Sequence, residues 1–154
     1  MRPPLPAQPR WVLEGLAVVE ESEHTSAGRI RSNLFDMWLR ADVLEDSFAG
    51  LDQISSGAQK WPYGNLFYLY GSRFLRWITD VYGPNTMPAV SADYGATTIP
   101  FGINRAIRRV TGRTYEDLYE GWHAQLLDHY REQVGAADKL GRIEGARITY
   151  HGEN

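Results

Sequence analysis

The stretch Trp11-Val12-Leu13-Glu14-Gly15-Leu16-Ala17-Val18-Val19 decides how this chain is read. Its apolar residues cover every side of a helix, and Glu14 is the one ionisable group among them. Helical spacing puts Trp11 and Val18 on the same side as Glu14, which predicts a largely desolvated carboxylate. Such a group must be protonated, paired or bound to a metal, because an unpartnered buried charge is strongly unfavourable. Pairing with an arginine such as Arg29 or Arg73 is the structural alternative, and structural ion pairs outnumber metal sites. Gly15 is also out of place, since a glycine inside a helix costs ~1 kcal/mol relative to alanine. Its expected use is the close approach of another backbone.

Outward from this segment, the pattern is helix after helix. The first runs from Trp11 to about Glu21 and the second from about Arg29 to Glu45, with Leu34, Trp38 and Leu39 at helical spacing. Pro62 opens a third, whose stripe is Phe67, Tyr70, Phe74, Ile78 and Val81; Gly83 stops it and Pro84 follows. A short helix with Pro88 in its first turn runs to Tyr94 and is closed by Gly95. Another spans Pro100 to Gly112. The last is the best marked. Thr114 caps it with Asp117 as capping-box acid, Tyr115, Leu118, Tyr119, Trp122 and Leu126 form its buried stripe, and it ends near Val134, before Gly135. Residues 1–9 hold four of the eight prolines and read as an extended lead. Residues 135–154 show no helical period; Ile148-Thr149-Tyr150 is strand-like with nothing local to pair with. The fold class is therefore all-α, with residues 10–134 as one multi-helix body.

A length of 154 residues allows one domain with a real core. The net charge of −3 gives no basis for nucleic-acid binding. The closest basic cluster, Arg105, Arg108 and Arg109, fits the solvated face of a helix. With no cysteine, a disulfide framework, a thiolate metal site and a Cys nucleophile are excluded. No apolar run is long enough for a membrane span.

Trp11-Val12-Leu13-Glu14-Gly15-Leu16-Ala17 resembles the Trp-x-x-Glu-Gly-x-Ala motif of gluzincin zinc peptidases, the group of the aminopeptidase N relatives and the bacterial peptidase MA-like domains. Tyr68-Leu69-Tyr70-Gly71 is similar to the Tyr-x-x-Gly element on a later helix of these enzymes. Val81-Tyr82-Gly83, Asp93-Tyr94-Gly95, Ile99-Pro100-Phe101-Gly102-Ile103-Asn104-Arg105-Ala106, Thr111-Gly112 and Tyr115-Glu116-Asp117-Leu118-Tyr119-Glu120-Gly121-Trp122 resemble the helical tail of peptidase MA-like domains. Order and spacing agree over roughly residues 10–131. Val19 departs from the aromatic residue that many relatives carry there. The segment Arg142 to Glu153 resembles the lead-in to a TolB-type β-propeller, so residues 135–154 are expected to be a linker towards one.

The resemblance implies the C-terminal helical subdomain of a thermolysin- or aminopeptidase-like zinc peptidase, hydrolysing peptides with a zinc-activated water. It assigns Glu14 as a zinc ligand and Tyr68 as the hydroxyl that donates to the oxyanion of the tetrahedral intermediate. Its relatives point to the bacterial envelope. A gluzincin also needs His-Glu-x-x-His, whose two histidines bind the metal and whose Glu activates water. None of His24, His123, His129 and His151 is followed by Glu, and no two are four apart. His123 and His129, six apart, point about 120° apart around a helix. The chain alone is therefore expected to be inactive and to hold no zinc tightly. Its expected partner is the peptidase half carrying the histidines, or a second copy; the complete enzyme would add a peptide substrate. The alternative is a non-catalytic helical interaction or scaffold module that keeps the packing and has lost the chemistry.

Overall fold

The computed structural model describes residues 8–26, 28–55, 61–96 and 102–141, with the isolated positions 143, 145, 146 and 148. Seven α-helices follow in order among them: α1 Arg10–His24, α2 Asn33–Leu44, α3 Leu51–Ser55, α4 Leu66–Tyr82, α5 Thr86–Gly95, α6 Ile103–Thr111 and α7 Tyr115–Lys139. Two 3₁₀ turns, Arg29–Arg31 and Tyr63–Asn65, precede α2 and α4. No strand occurs among the described residues, and the fold is all-α as expected. None of the helices is long and apolar enough to cross a membrane.

Helix α4 is the axis of the core. Leu66, Leu69, Tyr70, Phe74, Leu75 and Ile78 have at most 1% of their surface exposed. Helix α1 lies along α4, and α2, α3, α5 and α7 also touch it. Phe74 shows how the helices lock together. Its ring meets Trp11 of α1 at 5.5 Å and Tyr119 and Trp122 of α7 at 5.0 and 5.4 Å. Edge-to-face and offset ring pairs of this kind add to the stabilisation from buried area alone.

The loop between α2 and α3 is fastened by two buried phenols. Tyr70 donates to Asp42 Oδ2 at 2.5 Å and accepts from the Ala49 amide at 3.2 Å. Tyr119 donates to the Ala49 carbonyl at 2.8 Å. Both backbone polar groups of the buried Ala49 are thus satisfied by side chains, as a buried loop residue requires.

Several boundaries differ from the expected ones. Ser32 divides the expected second helix: its hydroxyl accepts from the Phe35 amide at 3.4 Å, so α2 starts at Asn33 and a 3₁₀ turn stands before it. Helix α4 opens at Leu66, after the 3₁₀ turn Tyr63–Asn65. Helix α3 is an addition. Val81, expected in the buried stripe of α4, is 52% exposed, because the last turn of that helix stands in solvent. Pro88 falls in the first turn of α5, where its missing N–H leaves no helical bond unmade. The expected start of α6 at Pro100 lies outside the described residues, as do residues 1–7 of the proline-rich lead and Thr149-Tyr150 of the strand-like tail.

Helix α7 begins as its sequence dictates. Thr114 accepts from the Asp117 amide at 3.2 Å, and the Asp117 carboxylate accepts from the Thr114 amide at 3.0 Å. That bond from the Thr114 backbone, with one from its hydroxyl, holds the Asp117 carboxyl below its ordinary pKa. The helix then passes Gly135, where it was expected to stop, and continues to Lys139. The left-handed glycine that ends it is Gly141, with φ of 80°.

Candidate functional site

The two short motifs of the sequence meet at one place. Gly15 of α1 faces Gly71 of α4 with no side chain between them. A Cβ built on Gly15 would lie 2.5 Å from the Gly71 carbonyl carbon, and one built on Gly71 would strike the Trp11 carbonyl oxygen. The helices therefore touch backbone to backbone, and Gly15 has the use expected of it. Trp11 anchors the same crossing from below, 1% exposed, with its ring 5.0 Å from that of Tyr115.

Glu14 and Tyr68 sit beside this crossing, one residue before Gly15 and three before Gly71. Glu14 is only partly desolvated: its side chain is 31% exposed, next to the exposed Leu13 and Ala17. The expectation of burial fails because α1 packs through Trp11, Val12, Gly15, Val18 and Val19, which leaves a strip of its surface uncovered. The expected arginine partners are also engaged elsewhere. Arg29 pairs with Glu21 at 2.9 Å and Arg73 with Asp36 at 3.8 Å, while the cation near Glu14 is Arg10, at 3.9 Å. An exposed pair with arginine preceding glutamate by four is the weaker orientation and contributes at most ~1 kcal/mol. Glu14→Gln should then change stability by less than ~1 kcal/mol, measured by thermal melts at neutral pH. A loss of several kcal/mol would mean that the carboxylate has a buried structural partner.

Tyr68 is half-buried and its ring lies under the Arg29 guanidinium, 4.8 Å from centroid to cation. The Arg29–Glu21 bond holds that guanidinium in place. The Arg10 guanidinium lies over the neighbouring Phe67 ring at 4.4 Å. Phe67 and Tyr68, just before Gly71, are thus each covered by a cation. Arg29 was expected beside Glu14 and instead covers Tyr68; Arg10 was not singled out in the sequence, although it stands four residues before Glu14.

A comparison with family models, curated proteins and solved structures finds no match to this chain.

Among the described residues no group of three His, Cys, Asp or Glu side chains is arranged to hold a metal ion. His24 is exposed beside Glu20 at 3.4 Å. His123 stacks on Phe48 at 4.2 Å, and His129 is exposed and bonded to Gln133. None of these three stands near Glu14 in the contacts they make. The described residues therefore supply one candidate ligand and no chelating set, and they do not fit zinc on their own. A separate shallow cleft of about 330 Å³, lined by Asp46, Phe48, Tyr119 and His123 among others, contains neither Glu14 nor Tyr68.

Proposed function

We propose that this chain is the helical half of a gluzincin-type zinc peptidase domain, with Glu14 as one metal ligand and Tyr68 as a hydrogen-bond donor to the oxyanion. The observation that carries the reading is the Gly15–Gly71 contact. It brings the helix segments that carry Glu14 and Tyr68 against each other, which supports the reading of a shared site. The strip of α1 around Leu13, Glu14 and Ala17 is open, and offers room for the element that would bring the remaining ligands. When bound, zinc would supply Lewis-acid activation of water and carbonyl. The part of this chain is to present a carboxylate at the rim and a neutral phenol where negative charge develops. Arg29, stacked on the ring, positions that phenol.

A non-catalytic helical module is the second reading. It is favoured by the engagement of both rim residues with cations, Glu14 with Arg10 and Tyr68 with Arg29.

Two measurements separate the readings. The chain alone is expected to retain no stoichiometric zinc after dialysis and to cleave no peptide; tight, Glu14-dependent zinc would show a complete site and overturn the division of ligands. The peptidase reading further expects a His-Glu-x-x-His segment encoded ahead of Met1. Protein carrying both parts is expected to bind one zinc per chain. Glu14→Ala should lower that occupancy, while Tyr68→Phe should keep the zinc and lower kcat by roughly 100- to 1,000-fold. Full turnover in Tyr68→Phe, or no such segment, would reject the reading in favour of the module.

A further inference from the structure

Helix α2 is apolar on two opposite sides. Its inner side is Phe35, Leu39 and Val43, all buried. Its outer side carries Leu34, Met37, Ala41 and Leu44, all in solvent, with Leu34 49%, Met37 46% and Leu44 37% exposed. Single exposed apolar residues need no explanation, but a continuous row does. Their spacing of three, four and three is the a/d seam that receives a second helix. Trp61, 52% exposed and edge-on to Trp38 at 4.8 Å, widens the same patch.

We propose that a second copy of this chain covers this face, through antiparallel pairing of the two α2 helices about a two-fold axis level with Leu39. In that register Leu34 meets Leu44 of the partner subunit, and Met37 meets Ala41 of the partner subunit. Each long side chain faces a short one or its equal, so every layer is filled. A parallel pair would set Met37 against Met37 of the partner subunit and leave a gap between the two alanines one layer on. Charge agrees with the antiparallel choice. Exposed Arg31 precedes one end of the stripe and exposed Glu45 follows the other, so antiparallel pairing brings opposite charges together at both ends. A parallel pair would bring like charges together. This seam is independent of the rim that holds Glu14 and Tyr68.

The seam is about 15 Å long and ~10 Å wide. It is smaller than the ~800 Å² per partner of a stable interface, so the dimer should be weak and concentration-dependent. Sedimentation from low concentration up to ~1 mM, the range of weak association, is expected to show a monomer–dimer equilibrium. Met37→Glu should raise the dissociation constant by roughly 30-fold or more, as loss of a central contact does. Because Met37 is exposed in the monomer, its melting temperature at dilute concentration should not change. Leu13→Glu, on the open strip of α1, should leave the association intact.

The absence of cysteine makes orientation readable by single introduced thiols. A mixture of Leu34→Cys and Leu44→Cys chains should form a disulfide under mild oxidation. Leu34→Cys chains alone should not, because the two sites would lie about 15 Å apart along the axis, beyond the ~7 Å reach of a disulfide. A monomer at every concentration, an association removed by Leu13→Glu and kept by Met37→Glu, or faster cross-linking of Leu34→Cys alone would each overturn the proposal. Association with another protein in place of self-association would overturn it as well.

Discussion

Gly71→Val is expected to lower the stability of the fold by about 3 kcal/mol or more, the upper end of the cost of overpacking a core. The reason is what the new Cβ would meet. It would strike the Trp11 carbonyl oxygen and lie within 3.3 Å of the Gly15 Cα. Both are backbone atoms of α1, so no change of rotamer relieves the clash. The helices must separate, and Trp11 must then leave its place between Phe74 and Tyr115. For a protein of this length, the loss corresponds to a fall of roughly 10 °C in melting temperature. Gly135→Ala provides the contrast. Gly135 also lies inside a helix, but nothing lies within 4 Å of a Cβ built there. That substitution should stabilise by about 0.5–1 kcal/mol, since alanine is the better helix former. Thermal melts of the two variants check both signs. A Gly71→Val protein that melts with the parent would show that α1 and α4 do not touch backbone to backbone.

The contrast between the two glycines also shows where the sequence was legible. Gly15 sits among residues that can form a helix without it, so its cost there demanded a compensating contact, and the structure supplies one at Gly71. Gly135 is equally costly locally, and the sequence was read as a stop. Ala136 and Ala137 beyond it are strong helix formers, and they carry α7 on to Lys139, two residues before the left-handed Gly141. Thr114 and Asp117 were read correctly because a capping box is closed within four residues and depends on nothing distant. Helix α3 was missed for the opposite reason. Its five residues are too few for a helical period, and the loop that leads into it is held at Ala49 by the Tyr70 and Tyr119 phenols, 21 and 70 residues away.

Of the candidate site, the sequence placed Glu14 and Tyr68 on helices but could not give their surroundings. The burial expected of Glu14 assumed that every apolar side of α1 is covered. The structure covers the Trp11, Gly15 and Val18 side and leaves Leu13 and Ala17 open. Hydrophobic pattern reports which residues favour burial; which of them find a neighbour depends on how many elements surround the helix.

The buried phenols make the chain an alkaline-labile fold, and the expected effect is large. Tyr70, Tyr115 and Tyr119 are each at most 6% exposed. Burial raises the hydroxyl pKa of all three well above the ordinary value. For Tyr70 the bond donated to Asp42 raises it further, and for Tyr119 the neighbouring Tyr70 and Asp42 charges do. The ordinary value, ~10, applies to the unfolded chain. A group whose folded pKa is the higher keeps its proton in the fold after the unfolded chain has lost it. Its stabilisation is therefore complete below pH ~10 and is lost as pH rises above that value. Each such group removes about 1.4 kcal/mol per pH unit, so the three together remove about 4. Against a total stability of ~5–15 kcal/mol, this predicts cooperative unfolding within a few units above pH 10. Tyrosinate absorbance and helical circular dichroism, followed along one alkaline titration, check it. The tyrosinate signal of these three, out of nine tyrosines, should appear together with the loss of helix. Tyr70→Phe, which cannot ionise, should make the stability fall less steeply above pH 10. It should also lower stability at neutral pH by about 1–3 kcal/mol, because the Ala49 amide loses its acceptor and Asp42 a donor. Ionisation of all three phenols with the helices intact would show that they are open to solvent and that the core around Phe74 is less closed than its contacts require.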